Sequence, residues 1–114
     1  MNLYWCKCML ESRCRLNSLN LSNDYFDNII GVYVIWSGND KSNIISVGEG
    51  NIRDELIKMK NNKKVQEYGP DLFVTWAAVP KAYLEGVEAY LCTELKPLDN
   101  HTIKCTDLIN VNLP

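Results

Sequence analysis

The sequence predicts a small α+β domain: three strands, the first two forming a hairpin, and a sheet covered on both faces. Three observations carry that reading. β-Branched and aromatic runs flank a cluster of turn residues over 31–47, and the apolar spacing changes from two to 3.6 just after a pair of glycines. A further run at 72–79 is apolar at nearly every position, as a strand buried on both faces requires.

Taken in order, GVYVIWS at 31–37 has strand composition, GNDKSN at 38–43 supplies turn chemistry, and IISV at 44–47 returns as the second strand. Gly48 and Gly50 follow, and the reading assigns them a sharp turn from strand into helix. Ile52, Leu56 and Met59 then recur at helical spacing. KMKNNKK at 58–64 puts four lysines in seven positions and is read as a solvated helix end, with a local nucleic-acid patch as the other reading. After the third strand, Pro80 and Pro97 bracket a second helix over 81–96, with Leu84, Val87, Leu91 and Leu95 as its inward stripe.

Bulk properties narrow the function. At 114 residues and 46% hydrophobic content the chain holds one core, read as an N-terminal extension over 1–30 packed on a domain over 31–114. No run reaches the about 18 apolar residues of a membrane span, and MNLYWCKCML lacks the basic start and apolar stretch of a signal peptide, so a cytoplasmic protein is expected. Five cysteines are an odd number, and the expectation is five free thiols and no disulfide. Cys6, Cys8 and Cys14 have the wrong spacing for a structural zinc site, and Cys92, Cys105 and His101 are scattered. A net charge of −2 argues against a broad basic face for nucleic acid. GEGNIR has no third glycine and no following Walker lysine, so no nucleotide cofactor is expected. A serine or cysteine nucleophile with a histidine base is weakly supported, since the single histidine, His101, lies after Pro97 and is read as a surface residue.

Glu88 stands out. It lies four residues after Leu84 and three before Leu91, on the apolar side of its helix, whereas Glu85 faces water. A carboxylate so placed costs several kcal/mol unless hydrogen bonds, a cation or a metal offset the loss. Two readings stay open: a structural glutamate held by tyrosine or amide donors, and a site residue.

The order of these pieces resembles the GIY-YIG domain: GVY with Tyr33, then SVG with Ser46 to Gly48, then the helix IRDELIKM, then Glu88 in VEAYLCTELKPLDN, ending at Asn100. The likeness covers 31–100. It implies a three-stranded antiparallel sheet with helices on both sides, and a nuclease that cuts DNA with a divalent metal such as Mg²⁺ or Mn²⁺. It places Tyr33 at the first family tyrosine, Glu88 at the metal-binding glutamate and Asn100 at the late asparagine. Departures are as informative. Ser46 stands at the second tyrosine, and aligning the helix leucines on Ile52 and Leu56 puts Glu55 at the arginine and Met59 at the histidine. Arg53, two positions before Glu55, points about 200° away from it. A glutamate where phosphate chemistry uses a guanidinium opposes the transition state, so the resemblance implies a degenerate nuclease, weak or inactive. The alternative is a non-catalytic module that uses the same scaffold to bind a protein. A third arrangement pairs Glu55 with Glu88 to hold a metal or share a proton.

Overall fold

The computed structural model describes residues 1–8, 14–38, 43–99 and 107–114. Its centre is an antiparallel sheet of four strands: β1 (Cys14–Arg15), β2 (Ile30–Ser37), β3 (Ile44–Asn51) and β4 (Leu72–Ala78), in spatial order β1-β4-β2-β3. Three helices accompany it: α1 (Ile52–Lys60), α2 (Lys63–Gln66) and α3 (Leu84–Leu95). The α+β class is as predicted, but the sheet has a fourth strand. β1 is two residues long and is recruited by Phe73 and Val74 on β4, a pairing across some sixty residues that leaves no local periodicity to read.

Each strand alternates between two cores, because successive side chains leave opposite faces of the sheet. One face gathers Val32, Val34, Trp36, Val47, Phe73 and Ala77 under Leu84, Val87 and Leu91 of α3. The other gathers Tyr33, Ile35, Val74 and Trp76 under Ile52 and Leu56 of α1 and Val65 of α2. Helices therefore cover both faces, which explains why β2 and β4 are apolar at nearly every position. Truncating a wholly buried residue such as Leu56 or Leu91 to alanine would cost about 2–5 kcal/mol.

Local boundaries differ from the sequence reading in two places. The second strand does not stop before the glycines: β3 runs through Gly48 and Gly50 to Asn51, paired with β2 to its end at Ile30↔Asn51. Gly50 adopts φ +134°, a conformation L side chains avoid, and Asn51 caps α1 by accepting a hydrogen bond from the Asp54 amide. The expected helix over 81–96 divides into a 3₁₀ turn at Lys81–Tyr83 followed by α3, which stops where Lys96 turns left-handed at φ 50°. The lysine run ends α1 and opens α2, where Lys63 and Lys64 are exposed.

The described part of residues 1–30 is tied to the core at many points. Leu16, Leu21 and Phe26 are buried with Trp76, and Phe26 packs 5.3 Å from the Trp76 ring. The Cys6 amide donates to the Trp76 carbonyl, extending cover along the β4 edge beyond β1. One expectation is overturned: Cys8 and Cys14 form a disulfide, with Cα atoms 5.3 Å apart. An odd count does not forbid one bond among the five cysteines, so parity is no guide here. Cys6 and Cys92 are free thiols, and Cys105 lies outside the described residues.

A carboxylate-rimmed tyrosine as the candidate functional site

Tyr33 sits on β2 opposite Gly48 of β3, with its ring laid across that glycine. A methyl group at Gly48 would collide with the phenol oxygen and the ring carbons beside it. The absence of a side chain at 48 is thus a requirement of the facing ring, not of a turn into the helix. Ser46, the Ile35 partner on the same face, is 4% exposed and makes a side-chain hydrogen bond with Tyr33. The phenol is carried in this way toward β3, the outer strand on that side of the sheet.

Three carboxylates act on it electrostatically. Glu55, one turn into α1, lies beside Gly50, where an added methyl carbon would stand 3.3 Å from Glu55 Cγ. Glu88 comes from α3, which packs against β3, and Asp99 follows α3 with its amide bonded to the Ile45 carbonyl at 2.7 Å. Burial raises the Tyr33 pKa far above the ordinary phenol value, and the charges of Glu55, Glu88 and Asp99 push it the same way, against the Ser46 hydrogen bond. A neutral phenol is the consequence at any physiological pH. Glu49, half-buried on β3, is also raised, by burial first and then by Glu55 and Glu85. On α3, Cys92 is pushed up to about 11 by burial and by Glu88, which leaves it a neutral thiol.

The predicted site residues therefore separate. Tyr33 and Ser46 are in contact, and Glu55 and Glu88 lie within electrostatic reach of the phenol. Glu88 is half-buried rather than inside the apolar stripe, at the margin between α3 and β3. Arg53 belongs elsewhere. Its Nε donates to the Leu21 carbonyl at 2.7 Å and its Nη2 to the Asn23 carbonyl at 2.8 Å, with Asp27 as an ion-pair partner at 2.7 Å. It anchors the N-terminal segment to α1 and takes no part in the Tyr33 cluster. Met59 packs at the border of the second core. Asn100 lies outside the described residues, as does His101. Sequence reasoning missed Glu49, Glu85 and Asp99 as contributors to the field; Asp99 beside Asn100 and Glu49 between two glycines were the available signals.

Lys58 reaches Glu55 at 3.0 Å, so the carboxylate at the position where the resemblance expects a guanidinium is itself paired with a lysine. The acids do not make a metal centre there: no three His, Cys, Asp or Glu side chains converge to hold an ion among the described residues. Among the described residues no helix is long and apolar enough to cross a membrane. No family model, curated protein or solved structure matches the chain.

Proposed function

We propose that the chain is a GIY-YIG-like domain derived from DNA phosphodiester hydrolases, with a site that has lost its cation and now cleaves weakly or not at all. What supports this reading is that the charges of Glu55 and Glu88 both act on the buried Tyr33 phenol, whose ring lies across Gly48 with Glu55 beside the neighbouring Gly50. Tyrosine from the central strand and glutamate from a later helix are two of the groups the resemblance places at a phosphate, with Asn100 as a third. Glu55 occupies the arginine position and contributes the opposite charge.

The residues explain why turnover would be poor. Tyr33 keeps its proton, so it can donate a hydrogen bond to an approaching oxygen but cannot serve as a base at neutral pH. Ser46 fixes that phenol but is too short and too buried to replace a second tyrosine. A scissile phosphate brought to this edge would meet Glu55, Glu88 and Asp99. Replacing a stabilising guanidinium by a carboxylate removes several kcal/mol of transition-state stabilisation, about a thousandfold or more in rate. The described residues hold no group of three His, Cys, Asp or Glu side chains that could bind an ion, and no step is assigned to a metal. Cytoplasmic residence belongs to the same proposal.

A second reading, the non-catalytic protein-binding module, is favoured by the rim itself. Glu49, Glu55, Glu85, Glu88 and Asp99 repel a phosphate backbone and complement a basic protein surface.

Labelled DNA and RNA incubated with the purified protein in Mg²⁺ or Mn²⁺ distinguish these readings. We expect no measurable cleavage by the natural sequence. Gain of cleavage in Glu55→Arg, or in Glu55→Arg combined with Ser46→Tyr, supports a decayed nuclease; the single variant is cleaner because Ser46 is buried against Tyr33. Cleavage by the natural sequence that Glu88→Ala abolishes would overturn the inactive site. Silence throughout, with no DNA binding at low salt, would favour the protein-binding module.

A further inference from the structure

We infer that the Cys8–Cys14 disulfide is a redox latch that holds the N-terminal segment against the β4 edge and keeps a neighbouring cavity walled. The inference is independent of any nuclease ancestry. It starts from how the first eight residues are held. Backbone contacts place Cys6 alongside β4: its amide donates to the Trp76 carbonyl at 2.9 Å, and Thr75 Oγ1 donates to the Cys6 carbonyl at 2.8 Å. On the other side Asn112 clasps Leu3, accepting from its amide at 2.6 Å and donating to its carbonyl at 3.0 Å. Between these two rows lies a cavity of about 380 Å³ floored by Trp36 and Thr75, with Leu3, Trp5, Leu113 and Pro114 among its walls. The segment is thus a strip held by a few hydrogen bonds with one covalent tie, Cys8 to Cys14 on β1.

The two sulfurs differ in access. Cys14 is 1% exposed, whereas Cys8 is half-buried. A dithiol reductant therefore attacks at Cys8: its thiolate forms a mixed disulfide with the Cys8 sulfur, and Cys14 leaves as a thiolate that takes up a proton. The second thiol of the reductant then closes on the first, freeing Cys8 as a thiol. One protein disulfide has been exchanged for one reductant disulfide, with two electrons and two protons transferred to the protein. A buried thiolate is a poor leaving group, which slows the first displacement, and with a monothiol the released Cys14, held beside the adduct, attacks the Cys8 sulfur again and reverses it. In a reducing compartment the latch stands open and oxidation closes it, the usual behaviour of a disulfide in a cytosolic protein.

The cysteines are six positions apart, and releasing so short a loop raises the opening equilibrium of the segment on the order of fiftyfold. Hydrogen exchange on the whole chain reads this directly. With the bond verified by a non-reducing digest, the Leu3 and Cys6 amides should exchange on the order of fiftyfold faster after dithiothreitol, while the α3 amides around Val87–Leu91 keep their protection. Cys8→Ser/Cys14→Ser should exchange like the reduced protein whether or not reductant is present. If that variant does not fold, the reduction and reoxidation of the natural sequence decide alone. Unchanged exchange at Leu3 and Cys6 on reduction would overturn the latch. So would equal loss of protection in α3, which would make the bond a staple of the whole fold. A digest showing Cys8 and Cys14 unlinked after air oxidation would also overturn it.

Discussion

The two edges of the sheet are closed by opposite means. At the β4 edge, strand hydrogen-bonding groups are taken up by β1 and by Cys6, Trp76 is covered by Tyr25 and Phe26, and a disulfide fixes the covering chain. At the β3 edge, among the described residues, Leu98 and Asp99 bond the carbonyls of Ile44 and Ile45, and the charges of Glu55, Glu88 and Asp99 act on the Tyr33 phenol that reaches toward it. An unpaired edge is a template for association with another chain, and inward or bordering charge is one of the devices that prevents it. The first edge is sealed with structure, the second with charge. Only the second keeps polar groups available for chemistry or for a partner, at the expense of mutual repulsion.

Predictions test that contrast in order of size. Gly48→Ala should have the largest effect, about 2–3 kcal/mol of destabilisation by chemical denaturation, because the added methyl meets the Tyr33 ring. Combining it with Tyr33→Ala should recover much of the loss; simple additivity would show that the ring is not what excludes a side chain at 48. Next comes Arg53→Ala on the sealed side. Losing an ion pair and two charge-assisted hydrogen bonds to carbonyls should cost about 1–3 kcal/mol and loosen residues 21–27 in hydrogen exchange. Glu55→Ala, two residues away, should cost less, since its partner Lys58 is exposed. Equal losses would erase the distinction between the edges.

Smallest is Glu49→Gln, expected to stabilise the protein at neutral pH by less than about 1 kcal/mol once solvent screening is allowed for. The folded carboxyl holds its proton more tightly than the unfolded one, so the natural sequence carries a penalty that is absent below the ordinary glutamate range. The penalty grows as pH rises through the raised folded value and is full above it. The advantage of Gln should therefore vanish at acid pH; an advantage that persisted there would point to packing instead of charge.

Much of the fold is legible because it is written in local periods. Val32, Val34 and Trp36 alternate with Tyr33 and Ile35, and Ile52, Leu56 and Met59 recur at helical spacing, so β2, β4 and α1 follow from their own residues. What is not legible comes from distant partners. β1 exists because β4 needs a neighbour, and the Cys8–Cys14 bond depends on where β1 docks. Gly48 looks like a turn residue in the sequence because its constraint comes from a ring on another strand. At the site, Glu88 is conspicuous because it sits beside apolar neighbours in one helix. Arg53 offers itself as a site cation, yet its carbonyl partners at 21 and 23 lie in a segment without periodicity.

The Asn112 clasp on Leu3 has a consequence for synthesis. Donor and acceptor are 109 positions apart, so the amino-terminal strip has no lasting home while the chain is still growing. Leu3 must wait until the stretch around Asn112 has left the ribosome, so this clasp forms only after the intervening sheet and helices have been synthesised.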